Sequence, residues 1–401
     1  MRIQQPGLDA SMWPGHPIRS TPSGADLTAG LCGSVPGQRW GAVWPSDPRL
    51  DVGICASLGS QPRDWPLHSG GQRASGAGRS DGRHVGSFGG RDADGGPRFD
   101  QAVPPGGYLW WYLDALSDDG QHGLSIIAFV GSVFSPYYKF SGRRHPDNHC
   151  AINVSLNGPR GSAWAMTERP STRVDRSASH FSVGPSAMRW DGEALVIDIA
   201  EISAPLPYKV RGRVRVIPEM IGSTAFALDP AARHRWHPVA PRAHVEVEMT
   251  HPGIGWSGPG YFDSNFGDEP LEDGFNDWHW SRAHLRDDVA VLYEGKRRDG
   301  TPFDLALRMD RLGNWHDVIQ PAPAALPRTG WLVKRATRAD AGSTPRLIKT
   351  WIDAPFYARS KLATRLYGEN VHAVHESLSL GRFRSPVVQS MLPYRMPRIV
   401  W

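Results

Sequence analysis

Two short stretches of the chain carry the residue types that acid–base chemistry needs. In HRWH, His234 and Trp236 are two residues apart, and in GYFD, Tyr261 and Asp263 are two apart. Residues i and i+2 of a β-strand share a face. Two neighbouring strands would therefore set an imidazole, an indole, a phenol and a carboxyl around one cavity. A carboxyl walled by apolar side chains resists ionisation and can keep its proton at neutral pH, which makes it a general acid. An imidazole beside it can act as base or orient a reactant. Bulky rings flank the pair: Trp256 precedes it, and WHWSR, Trp278 to Arg282, follows it. That run reads as a strand with both indoles on one face, so Trp256, Trp278 and Trp280 are candidates for lining a substrate site. The plainer reading stays open at this point, with Trp236 and Tyr261 as ordinary core aromatics and Asp263 capping a turn before Ser264 and Asn265.

The remaining ionisable clusters invite less. Asp268, Glu269, Glu272 and Asp273 surround Gly267 and Pro270, which are loop residues, so they read as a solvated loop capping a helical turn. His234 and His237 lie three apart, and on a strand such residues point to opposite faces, which speaks against a metal site. In VHES, His375 and Glu376 are adjacent, so one of the two faces away from any core and the segment reads as surface. No G-x-G-x-x-G, Walker loop, H-E-x-x-H or G-x-S-x-G stands in a fitting context. Nucleotide, zinc-protease and serine-hydrolase chemistry therefore lack support, and neither cofactor nor metal is expected.

The elements that must position these residues read as strands. From Phe99 onward, short alternating or apolar runs are split by turn signals, among them Ser117 to Gly120, Asp191-Gly192 and Asp299-Gly300, the pattern of an all-β sandwich or barrel. About fifteen strands exceed one small barrel. The expectation is two antiparallel β-barrel or sandwich domains, 98–240 and 241–401, joined near Val239 to Val245. Helical periodicity is scarce, and Pro355 to Tyr367 is the best short helix candidate. Residues 1–97 contain neither Lys nor Glu and are rich in Gly, Ser, Pro and Arg, which predicts a disordered extension.

Bulk properties narrow the partners. The net charge is +5 with a pI near 9.2, yet Lys and Arg are scattered, with Lys296-Arg297-Arg298 among the densest groups. Nucleic acid is therefore not expected, whereas an anionic membrane surface suits a mild positive balance. The three cysteines, Cys32, Cys55 and Cys150, have no metal spacing and point to a reduced, cytoplasmic compartment. No window approaches 18 consecutive apolar residues. The 16 Trp in 401 residues imply a thick aromatic core or an aromatic-lined site.

Longer runs carry a family resemblance. FDQAVPPGGYLWWYLDALSDDGQHGLSIIAFVGSVFSPYY, WAMTER, RWDGEALVIDI, FALDPAARHRWHPVAPRA, GYFDSNFGDEPLEDGF, PFYARS and VHESLSL resemble the carotenoid 1,2-hydratases of purple photosynthetic bacteria, the hydroxyneurosporene synthases. The resemblance covers Phe99 to about Arg398 and leaves the first 97 residues outside it. It implies two lipocalin-like (calycin-like) β domains and a cofactor-independent hydro-lyase. Such an enzyme adds water across the terminal C1,C2 double bond of acyclic carotenes such as neurosporene and lycopene, on the route to spheroidene and spirilloxanthin. It also implies His234, Trp236, Tyr261 and Asp263 as functional residues, a peripheral position on the inner photosynthetic membrane, and other carotenoid-pathway enzymes as partners. Hydrating an isolated alkene requires a proton on carbon first, so Asp263 is the expected donor, with the Trp236 and Tyr261 faces stabilising the cation. Two other readings compete. One is a lipocalin-like carotenoid or lipid carrier without chemistry. The other is a carbohydrate-active enzyme pairing Asp263 with Asp268 or Glu269.

Overall fold

The computed structural model describes residues 84–85 and 96–399, so most of the expected extension lies outside the described residues. Within it, His84–Val85 pairs antiparallel with Ala225 and Phe226, and Gly96 is packed against the Trp190 indole so closely that a Cβ would collide with the ring. The rest is built from antiparallel strands, as the alternating pattern predicts.

A thirteen-stranded sheet holds the first part of the chain. Across it the main order is Gly161–Met166, Cys150–Gly158, Gly123–Val130, Tyr108–Leu116, Ile254–Gly267, His234–His251, Lys209–Pro218, Leu195–Ile202, Ser186–Trp190, His180–Val183 and Val174–Arg176. Its far strands return towards one another. Gly161–Met166 lies against Leu195–Ile202, and Cys150–Gly158 against His180–Val183, so the sheet curls round its own core. The alternation of side chains decides what goes inside: Leu109, Trp111 and Leu113, with Ile126, Val154, Ile197, Val214, Val245, Phe262 and Phe266, form this mainly aliphatic core.

A seven-stranded sheet follows, in the order Trp315–Asp317, Pro302–Met309, Val289–Arg297, Phe275–His284, Glu369–Ser379, Tyr357–Leu366 and Arg346–Asp353, beside a hairpin of Ala322–Leu326 and Arg335–Ala339. Position 240/241, where a junction was expected, lies within the unbroken strand His234–His251, and the change from one sheet to the next comes between Gly267 and Phe275. The helix expected over Pro355 to Tyr367 is instead the strand Tyr357–Leu366. Its Ala, Arg, Lys and Leu favour a helix in isolation, but it is paired along both edges, with Arg346–Asp353 and Glu369–Ser379, and that pairing outweighs local propensity.

The alternate residues of the same strands face the other way. Tyr108, Trp110 and Tyr112 from one strand and Tyr261 and Trp236 from its neighbours meet Trp278, Trp280, Tyr293 and Phe303 of the second sheet in a continuous aromatic layer. Most of the rings meet edge-on or tilted, as at Tyr112–Trp280 (5.7 Å, 76°) and Trp236–Tyr293 (5.9 Å, 90°), the arrangement that ring quadrupoles favour. The α-helices are four to six residues long. Among the described residues no helix is long and apolar enough to cross a membrane.

Candidate active site

Within the aromatic layer sits the carboxyl group of Asp263. Strand register brings its neighbours to it: Tyr261 shares the face of Asp263 two residues away, Tyr112 is its direct cross-strand partner, and Trp236 is paired with Asn265 one step further on that face. Asp263 Oδ2 accepts two hydrogen bonds, from Trp236 Nε1 and from the Tyr261 hydroxyl, each 2.8 Å long. Asp263 Oδ1 is buried and has no hydrogen-bond partner among the described residues. The side chain is 4% exposed.

Burial pushes the Asp263 carboxyl up to about 8. The bonds from Trp236 and Tyr261 pull it down, because they favour the charged form, and the charges of Glu376 and Asp114 push it up again. The group is thus an acid that keeps its proton at neutral pH. With Oδ2 taken by two donors, the proton belongs on Oδ1, the free oxygen. Burial likewise raises the Tyr261 hydroxyl well above its ordinary value, Asp263 adding to the effect, so the phenol remains a donor.

His234 occupies a different place in the same layer. It pairs with Gly267 at the strand end, its Nδ1 lies 3.0 Å from the Tyr108 hydroxyl and its Nε2 3.1 Å from Glu269 Oε1. The carboxylate accepts from Nε2–H, which leaves Nδ1 to accept from Tyr108. Its ring packs edge-on to Phe275 at 4.8 Å, and a Cβ on Gly274 would strike it. Burial lowers its pKa against the opposing pull of Glu269, so the imidazole is neutral. The structure therefore brings Trp236, Tyr261 and Asp263 together and holds His234 apart from them by bonds at both ring nitrogens.

Of the three further tryptophans, Trp280 joins the site, with its ring 5.1 Å from Tyr261 and 5.7 Å from Tyr112. Trp278 lies in the same layer against Phe275 and Tyr293. Trp256 does not reach it: seven residues from Asp263, it packs against the aliphatic core on the opposite face, beside His122 at 6.2 Å. His237 also faces away, bonded to the Gly222 carbonyl, and with Trp111, Val239, Ser264 and Phe266 it lines a small recess on the far side of the sheet from Asp263. The acid loop is not wholly solvated. Asp268 pairs with Arg235 at the surface, but Glu272 is buried and bound to Arg143 at 2.6 Å.

Sequence reasoning missed a polar island beside the carboxyl. The Tyr112 hydroxyl is 2.7 Å from Glu376 Oε1 and 3.1 Å from Asp114 Oδ2. Asp114 is fully buried and held by both Nε and Nη2 of Arg282. In the segment expected at the surface, His375 is buried and points into the second sheet's interior, bonded to the Ala336 carbonyl, while Glu376 is partly covered in the inter-sheet layer. The alternation of Tyr108, Trp110, Tyr112 and Asp114 along one strand is the signal that could have marked this face. For Glu376 no local signal exists, because its partners Tyr112, Trp280 and Arg359 come from other strands of both sheets.

The description "Carotenoid hydratase CrtC" belongs to the family model that matches residues 126–401. An acyclic carotenoid 1,2-hydratase from Thiocapsa roseopersicina is 51% identical over 370 residues, covering 91% of each chain. Another from Rubrivivax gelatinosus is 46% identical over 405 residues, covering 99% of this chain and all of the relative. That alignment takes in the N-terminal extension, which the resemblance read from sequence had left outside. Among solved structures, kievitone hydratase from Nectria haematococca superposes with a TM-score of 0.43 at 10% identity, over 74% of this chain and 97% of that one.

Proposed function

The chain belongs to the carotenoid hydratase family, and from that premise we propose that it adds water across the C1,C2 double bond of acyclic carotenoids with Asp263 as the acid. The observation that carries this reading is the buried carboxyl with both donors on Oδ2 and none on Oδ1. An exposed Asp, with an ordinary pKa near ~3.9, would be almost wholly ionised at neutral pH; Asp263 is not.

In the first step the π electrons of the alkene form a C2–H bond with the Oδ1 proton, leaving a carboxylate on Asp263 and a tertiary cation at C1. The new carboxylate is stabilised at once by Trp236 Nε1–H and Tyr261 O–H, donors already in place and needing no reorganisation. The faces of Tyr261, Trp236 and Trp280 stabilise the cation by roughly 2 kcal/mol each when water is excluded. Water oxygen then bonds to C1 and a proton departs. His234, engaged at both nitrogens, serves by fixing the strand end that carries Trp236. Neurosporene and lycopene are the substrates this reading names. Incubating the purified protein with either in detergent or lipid, and looking for products heavier by one water, tests it; a carotenoid bound and returned unchanged would favour the carrier.

A C40 hydrocarbon must be collected from a bilayer, so the protein works as a peripheral membrane enzyme. The short helices Pro136–Phe140, Leu380–Phe383 and Pro386–Met391 support this, because exposed Phe140, Val387 and Tyr394 lie on or beside them with Lys139, Arg382 and Arg384. Apolar tips amid cations suit an anionic surface. Flotation with anionic liposomes at low and high salt checks it, and failure to bind in both would remove the membrane from the account.

A further inference from the structure

Resting on the reading of Asp263 as the acid, we infer that Glu376, held by Tyr112, is the group that takes the proton from the attacking water. The reaction needs a second group, because Asp263 gives up a proton in the first step while the water must lose one in the second. His234 does not fill that place: its nitrogens are committed to Tyr108 and Glu269. Asp114 does not either, being clamped by Arg282.

Glu376 is placed for it by both sheets. On the second sheet it is the cross-strand partner of Trp280 and of Arg359, and Trp280 packs on Tyr261, the ring that bonds Asp263. From the first sheet Tyr112, the direct cross-strand partner of Asp263, reaches over to donate to Glu376 Oε1 at 2.7 Å. The two carboxyls thus stand on opposing sheets, bridged by one tyrosine and one tryptophan. Glu376 is also less sealed than Asp263, with its side chain 14% exposed, which gives water a way in. Arg359 Nε stands 3.5 Å from Glu376 Oε1, within ion-pair range, while its Nε and Nη1 are buried without hydrogen-bond partners among the described residues. A water molecule in this island would meet donors and an acceptor together, the conditions under which buried water is held.

The step balances without any added reagent. A lone pair of the water oxygen forms the C1–O bond, its surplus proton passes to the Glu376 carboxylate, and the enzyme is left with Glu376 protonated and Asp263 ionised. Return of that proton to Asp263, through solvent, restores the starting state.

The test is Glu376→Gln in the full chain, assayed with lycopene in D2O. The amide keeps the size and the acceptor for Tyr112 but cannot take a proton. Hydration should fall about 100-fold or more, the range for loss of a general base, while carotene recovered from the reaction carries deuterium, because Asp263 still protonates carbon and the cation collapses back by losing a proton. Hydration within about threefold of wild type would overturn the inference, and so would loss of both hydration and exchange in a folded E376Q variant, which would assign Glu376 to the first step. Asp263→Asn is the companion: loss of both signals upholds the acid on which this rests, and retained exchange sinks that acid independently of Glu376. If the Gln variant does not fold, Tyr112→Phe decides, with hydration reduced about tenfold and exchange retained as the expected result, and unchanged hydration as the contrary one.

Discussion

Along the strand Ile254–Gly267, Phe262 and Phe266 point into the curled first sheet while Tyr261 and Asp263 point out of it towards the second. The adjacent strand repeats the division, with Leu109, Trp111 and Leu113 inward and Tyr108, Trp110 and Tyr112 outward. Both faces are buried, so burial alone does not separate them. What differs is the company. The inner face is mainly aliphatic, and its polar groups, such as His237, are bonded away from Asp263, so its packing serves stability. The outer face consists of rings that carry O–H and N–H groups, and it tolerates a carboxyl because two of those groups bind it. The same pleat that separates the two sets lets one strand serve stability and chemistry without compromise between them.

The comparison breaks most sharply at Asp263. Asp263→Asn keeps the shape and both hydrogen bonds but removes the proton to be donated, and hydration should fall by roughly 1000-fold or more, in the upper range for a general acid, with the circular dichroism spectrum unchanged. This variant should also change how stability responds to pH. The folded state holds its Asp263 proton up to about 8, whereas the unfolded chain releases it near ~3.9. Between those values the native state binds more protons than the unfolded one, so stability falls as pH rises through that window, by roughly a few kcal/mol. Denaturant melts at several pH values should show a flatter profile for the Asn variant. An identical slope in both proteins would mean that Asp263 ionises normally.

Tyr261→Phe probes the same face more gently. Losing the hydroxyl removes one donor to the nascent carboxylate, and hydration should drop about 10- to 100-fold. Because that hydrogen bond lowers the Asp263 pKa, its removal should move the alkaline limb of the rate profile to higher pH. In the unaltered protein the rate should decline above pH 8 or so, where Asp263 loses its proton; a rate still rising there would oppose the assignment. The smallest effect on catalysis belongs to the other face. Phe262→Leu should cost about 1 kcal/mol of stability and leave kcat within about twofold. A large loss of activity from it would erase the distinction between the faces.

Much of this was legible beforehand. Period-2 alternation and turn pairs such as Asp191-Gly192 announced antiparallel strands, and the i, i+2 spacing announced that Tyr261 would lie beside Asp263. The same rule misplaced Trp256: at an even position it belongs with Phe262, on the inner face. It also left His375-Glu376 at the surface, since a rule of alternating faces does not reveal that both faces are covered. The stretch Pro355 to Tyr367 read as helix because propensity is local, while its pairing partners lie at Arg346–Asp353 and Glu369–Ser379.

The sequence by itself determined which residues could share a face and which of them carry exchangeable protons, because backbone pleating imposes that order on any strand. Only the tertiary structure decided that a second sheet would close over one of those faces. That closure excludes water from Asp263 and sets Glu376 opposite it. These outcomes depend on contacts between strands far apart in the chain, such as that of Tyr112 with Glu376, for which spacing along the chain holds no information.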